Sequence, residues 1–535
     1  MRFKMKRPTA RGLCKRLPSV AVALLLGSLL PHATHAAQAA APTSTPRPLQ
    51  TNHFAPYALQ RNDLGRSDHD QFITRAQAAQ DLDTLAQAIT DNSSYILSST
   101  FDHRAAIAQI KAALPARVSV NGLSTQLNKL VRLFGDDHAQ VDDWNTRIPQ
   151  LGMGLQIGRA DTRYFLYRET PAGLFDADYP YVRAIDGVAI EEWARVMGDI
   201  GQGPLSSPAA RFSRGYRLFP YTQYLRREMG LPERTEAVLE MVSEDGLRVV
   251  TRRVKVNTAV AAMAGKPFQL PDRSRMLAGN IGYLRVPAHR GELADRLVTE
   301  LPALMAQFRN TDALIVDARQ GGGGQRKVLN ALFPYFMCAD AKPYVFNVVK
   351  LRKHAVQSDP AKMFDDPDKR FWYIPDPNVP ADEMLAYRQL LKGFIPAWNP
   401  PASEFTDWYF TTLKPAPDKP YYGKPVYLLI DWGLGSAGDI FTSAFKGYPG
   451  ITLVGTATMG RSGQGVLFAL PNSKLEVNIS TMASFQKTGE RYDTVGIQPD
   501  IPMEPIPSDW YGASDSVLAR VQALIDARKS QMASP

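Results

Sequence analysis

A serine between two small residues, a histidine in an acidic turn and a run of glycines are the groups in this chain that could do chemistry together. Ser436 stands between Gly435 and Ala437 in Val426–Lys446, VYLLIDWGLGSAGDIFTSAFK. An apolar run of strand length, Val426–Ile430, enters a glycine-bearing loop. A helical pattern follows, with Ile440, Phe441 and Ala444 on one face. A serine at such a junction exposes its hydroxyl, and the free N–H groups of the helix start can stabilise negative charge beside it. The same residues, Ser436-Ala-Gly-Asp439, also spell a capping box, in which the serine caps the helix and an acid at the third helical position reaches back. The motif alone allows a nucleophile, a cap, or both.

A serine nucleophile needs a base, a group that orients the base, and donors for the oxyanion. Outside the first 36 residues the histidines are His53, His69, His103, His138, His289 and His354. His53 and His69 fall in or near an Ala/Thr/Pro-rich stretch, His103 starts a helix pattern, and His354 lies in a charged loop. Two remain as bases: His138, in GDDHAQV beside Asp136 and Asp137, and His289, at the end of NIGYLRVPAH. The oxyanion donors are sought in ALIVDARQGGGGQRK, where a buried strand pattern runs into Gly321–Gly324 and the backbone can approach a ligand closely. Phosphate binding competes for this loop, but no Gly-Lys-Ser/Thr follows and dinucleotide-fingerprint spacing is absent. Asp317 and Arg319 read equally well as a structural ion pair. Asp493, three residues before Gly496 in GERYDTVGIQPDIPMEP, is on composition alone a loop residue.

The elements that must position these groups fall into blocks. From Gly279 strands and helices alternate, which predicts an α/β layer with parallel pairing over 279–535. Residues 350–420 interrupt it with Pro- and aromatic-rich sequence and read as an insertion, a candidate lid. Residues 150–260 read as short strands with turns at Asp186-Gly187 and Asp245-Gly246, and a loop-rich stretch up to about Arg234. Residues 70–149 read as amphipathic helices, two of them at His103–Leu114 and Leu123–Phe134. Residues 37–69 read as a tether.

The start of the chain reads as a leader. MRFKMKRPTARGLCKR carries seven Lys or Arg and no acid, the apolar run Val20–Leu30 follows, and small residues stand at Ala33, Ala36 and Ala37. That pattern predicts a signal peptide over 1–36 and export to the periplasm or the medium, and the run is too short to span a bilayer. Without those seven cations the net charge of +10 falls to +3, which removes the main support for a nucleic-acid partner. The two cysteines, Cys14 and Cys338, supply no Cys-based metal site, and Cys338 reads as a lone structural thiol.

Taken in order, IGYLRV, LIVDARQGGGG, VYLLIDWGLGSAGDIFTSAFK, VGTATMGRSGQG and VGIQPDIPMEP resemble the tail-specific, or C-terminal-processing, serine protease family over about residues 279–525. The resemblance implies an α/β fold with a crotonase-like ββα core and makes Ser436 the nucleophile. The N–H of Ala437, with that of Gly322 or Gly323, would then form the oxyanion hole. The bacterial processing branch takes its base from a lysine in Phe-Gly-Lys-Gly. Here the segment is Met459-Gly-Arg461-Ser, and a guanidinium does not deprotonate to act as a base. A second branch, similar to the tricorn protease core, takes a histidine from an N-terminal helical subdomain that precedes a PDZ-like insert. On that pattern 70–149 is the subdomain, His138 the base and 150–260 the PDZ-like region. The branch's acid falls on Asp493, and Asp137 is a second candidate to orient His138.

The expectation is an exported serine hydrolase that cleaves peptide bonds of a peptide or protein substrate, with no cofactor, no metal, no nucleic-acid partner and no membrane span after leader removal. The alternative is a catalytically weak or inactive member of the same scaffold that binds an apolar ligand or a peptide. Oligomeric state is not legible from sequence.

Overall fold

A computed structural model describes residues 71–260, 268, 270–355, 371–373 and 377–533. The leader and tether expected over 1–69 lie outside the described residues, as do 356–370 within the insertion.

The strand-and-helix alternation after Gly279 folds as a six-stranded sheet in the order 275–277, 281–285, 313–317, 426–430, 451–455, 501–502. All neighbours after the first hairpin are parallel. Its strands are near-continuous apolar runs because both faces are covered. Leu314, Val316, Leu428 and Ile430 meet the helices Gly291–Phe308 and Ala437–Phe445 on one face. Ile315, Tyr427 and Leu429 meet Val521 and Ile525 of the C-terminal helix on the other. The carboxyl ends of strands 313–317 and 426–430 open into the glycine loop and the Ser436 turn, the place where an open α/β sheet presents its ligand site.

The insertion is tied to this core rather than hung beside it. Tyr344–Leu351 pairs with both Tyr409–Leu413 and Met482–Gln486, so a strand of the core region completes its sheet. Residues 150–260 form an antiparallel sheet in the order 249–255, 236–242, 181–185, 163–169, 156–160. The stretch expected to be loop-rich instead holds helices Ile190–Gly201, Pro208–Gly215 and Thr222–Glu228. The aromatic residues join this sheet to the site: Trp432, in the loop before Ser436, stacks on Trp510 with centroids 5.5 Å apart, and Phe165 meets Trp510 edge-on at 5.9 Å.

The N-terminal segment is helical as read, with helices Arg75–Asn92, His103–Ala112 and Val120–Val131. Buried Asp81 fastens it to the core by accepting from the N–H groups of Asn472 and Ser473, both at 2.8 Å. Gln140–Val141 adds a third strand to the hairpin 465–469/476–480. Cys338, expected to be a lone thiol, is disulfide-bonded. Among the described residues no helix is long and apolar enough to cross a membrane.

Candidate active site

The backbone at Ser436 is unusual for a residue that carries a side chain. Its φ of 57° and ψ of −119° are those of the first central position of a type II′ turn, normally a glycine position. The turn is closed by the Gly438 N–H donating to the Gly435 carbonyl at 2.9 Å. Holding a non-glycine residue there costs on the order of 1–3 kcal/mol and persists only where the surroundings over-determine it. They do so here. The Ser436 N–H is held by the Arg461 carbonyl at 2.7 Å and by the Asp439 carboxylate at 2.8 Å. That Asp439 bond is the reach-back of the expected capping box, and the serine side chain is partly exposed. Asp439 also accepts from the N–H groups of Gly460 and Arg461, each at 2.9 Å, and burial pushes its pKa up to about 7.

The glycine loop lies directly against this turn. Asp431 bridges the two by accepting from the N–H groups of Gly433 at 2.9 Å and Gln320 at 3.0 Å. The Gly322 carbonyl accepts from the Gly435 N–H at 3.2 Å. A Cβ on Gly323 would fall 2.4 Å from the Gly435 oxygen and 2.9 Å from the Ser436 Cβ, which explains why no side chain stands there. Among the described groups neither the Gly323 N–H nor the Ala437 N–H has an acceptor, and both border the serine. Asp317 and Arg319 form the structural ion pair, at 2.7 Å, with Arg319 also bound to Asp515. Burial alone would raise Asp317, but Arg319 and Arg285 bring its pKa down to about 2.

His138 is positioned from the core as much as from its own helix. Asp136 accepts from the N–H groups of His138 and Ala139, at 3.0 and 3.1 Å, and from the Ser480 N–H and hydroxyl, at 2.8 and 2.7 Å. Asn478 donates to the His138 carbonyl at 3.2 Å. The ring is partly exposed, while its Nδ1 is buried without a partner. Burial, then the charges of Arg461 and Arg132, hold its pKa well below 6.5, so the imidazole is neutral, as a general base must be. His289, the other sequence candidate, is only 1% exposed, edge-on to Phe441 at 5.0 Å, and burial lowers its pKa to about 4. Its carbonyl accepts from the Gln325 N–H, which makes it a support of the glycine loop.

Neither candidate acid hydrogen-bonds to His138. Asp493 accepts from the Tyr95 hydroxyl at 2.7 Å, from the Ser462 N–H and hydroxyl, both at 3.0 Å, and from the Asp137 N–H at 3.3 Å. Asp137 accepts from the Ser206 hydroxyl, from Gln202 at 3.1 Å and from the Thr494 N–H at 2.9 Å. Burial pushes both carboxyls up, and each bond made to the ionised form opposes that rise. Their acceptors are spent on stitching loops. The stitching still converges on one place: Ser436 is bonded to Arg461, Ser462 to Asp493, and Asp493 to Asp137, the neighbour of His138. Tyr95, Ser462 and Arg132 were not singled out from sequence, since nothing in SSYILSS or in a helix-terminal arginine marks a site.

Residues 280–503 match the model of peptidase family S41. Two solved structures of mature CPAF, one of them complexed with lactacystin, superpose with a TM-score of 0.57 at 16% identity. They cover 84% of this chain and 98% or 97% of their own, which establishes a shared fold. This family match and this shared fold support a serine-type peptidase whose residues 280–503 are similar to the tail-specific proteases of family S41.

Proposed function

We propose that Ser436 is the nucleophile and His138 the general base of an exported peptidase that acts on peptides or proteins. The observation that carries the reading is the Ser436 backbone. A serine held in a glycine conformation is maintained at a cost that capping does not explain, since a cap residue ordinarily has extended backbone. In the proposed sequence His138 takes the Ser436 hydroxyl proton as the oxygen attacks the peptide carbonyl. The N–H groups of Ala437 and Gly323 receive the oxyanion, and the imidazolium returns the proton to the leaving amine. Asp493 and Asp137 serve this scheme by holding the loop that carries His138.

A fluorophosphonate probe should label Ser436, found by mass spectrometry of the digested protein, and labelling should vanish in Ser436→Ala. A protein that cleaves peptides with Ser436→Ala in place would end the proposal. The leader over 1–36 supports export, and N-terminal sequencing of the cell-derived protein should find a start near Ala37.

A further inference from the structure

His289 touches both parts of the proposed oxyanion hole. It follows the strand Ile281–Arg285 and pairs with Gly324 in an isolated parallel bridge. Its carbonyl accepts from the Gln325 N–H at 2.9 Å, so the end of the glycine loop hangs on this residue. Its ring lies edge-on to Phe441, with centroids 5.0 Å apart, on the helix Ala437–Phe445 that leaves the Ser436 turn. One residue thus links the loop that carries Gly323 to the helix that begins with Ala437.

An apolar side chain would suit this position better than an imidazole. His289 is buried, and neither ring nitrogen has a hydrogen-bond partner among the described residues. A neutral imidazole carries one donor and one acceptor, and leaving a buried polar group unpaired costs about 1–3 kcal/mol. The charged ring would cost more, because no carboxylate is placed to receive it. On the helix that carries Phe441 the single acid, Asp439, is bound to the N–H groups of Ser436, Gly460 and Arg461. At the end of strand 313–317, Asp317 is paired with Arg285 and Arg319. On the loop side Arg326 donates to Asn347, while Arg290 and Glu292, next to the histidine in sequence, are exposed. The charge that acts on the ring is that of Arg285, and it is positive.

We propose that His289 is a proton-operated latch on the oxyanion loop. When neutral, its ring stays packed on Phe441 and the glycine loop is held against Ser436. When protonated, the ring leaves for water and takes with it the carbonyl that holds Gln325. The peptidase is then switched off reversibly in acid by release of the loop, separately from any titration of His138. This rests on the reading of Gly323 and Ala437 as oxyanion donors.

Hydrogen exchange of the full-length protein, read by mass spectrometry on the peptide that contains Gln325, tests the latch. A histidine that titrates near 6.5 when released and at about 4 when packed makes release about 80-fold more frequent at pH 4.5 than at pH 7.5. Protection, corrected for the pH dependence of the chemical step, should fall by about that factor and recover on return to pH 7.5. In His289→Phe, or in His289→Leu if the larger ring does not fit, it should change less than threefold. Constant protection in the natural protein overturns the latch. So does an equal fall in strand 426–430, which would mean that the whole fold loosens. The ratio of kcat/KM at pH 7.5 to that at pH 4.5 should be at least fivefold larger in the natural protein than in the variant, and equal ratios overturn the switch. Failure of the peptidase reading would show differently, as no cleavage and no Ser436 labelling at any pH, with the exchange result unaffected.

Discussion

The two halves of the site are built in different ways. The Ser436 half comes from two strand ends of one parallel sheet, and its backbone is held by short, local bonds from Gly435, Gly438, Asp439 and the glycine loop. The His138 half draws on the N-terminal segment and is assembled from three loops, 136–139, 461–462 and 493–494. Its bonds run between residues hundreds of positions apart, and it contains buried nitrogens with no hydrogen-bond partner, namely His138 Nδ1, Nε and Nη1 of Arg132 and Nε of Arg461. The proposed nucleophile and oxyanion donors are fixed by backbone. The proposed base is fixed by side chains around its loop and not by a carboxylate on its ring.

The most direct way to break this contrast is Ser436→Ala, which should cost at least ~10³-fold in kcat with the melting temperature preserved, since alanine keeps the same Cβ and the same backbone. His138→Ala should cost ~10²–10⁴-fold, the range for a lost general base. A His138→Ala enzyme of full activity would refute the assignment of the base. Gly323→Ala should cost ~10²–10³-fold, because a Cβ there meets the Gly435 oxygen and must push the loop and its N–H away from the serine. Its effect should appear in kcat rather than KM under steady-state kinetics.

Asp493→Asn sharpens the comparison. If Asp493 holds loops and not the ring, kcat should fall less than ~10-fold, while thermal unfolding should report a loss on the order of 1–3 kcal/mol from the weakened Tyr95 and Ser462 bonds. A much larger loss of kcat with unchanged stability would put the carboxylate on His138 during turnover. The smallest effect concerns pH. The base works when neutral, so with a depressed pKa the acid limb of kcat/KM should lie below pH 6.5 and activity should be lost as pH falls through it. Arg461→Met removes a cation that disfavours the imidazolium, so the His138 pKa rises and the limb should move to higher pH.

What could be read from sequence follows the same division. The Ser436 turn, the glycine loop and the parallel core are local patterns, where strand, breaker and helix follow one another within a short span. The helices between 190 and 228 were hidden by their punctuation. Pro208, which reads as a breaker, is the first residue of a helix capped by Ser207, where its missing N–H costs nothing. The acids were legible as residue types near the right places, but not in their use. Whether Asp493 reaches His138 depends on which donors arrive first, and Tyr95 and Ser462 come from segments that carry no mark of a site.

The short strand Gln140–Val141 has a consequence for when the enzyme can work at all. Among the described residues it pairs with Glu476–Ser480 alone, and Asp136 takes its long-range donors from Ser480. A chain interrupted before that hairpin has its histidine loop unanchored, however well the first helices have folded. Competence therefore arrives late in synthesis, when about nine-tenths of the residues exist. The connectivity itself keeps an unfinished protease from cutting its neighbours.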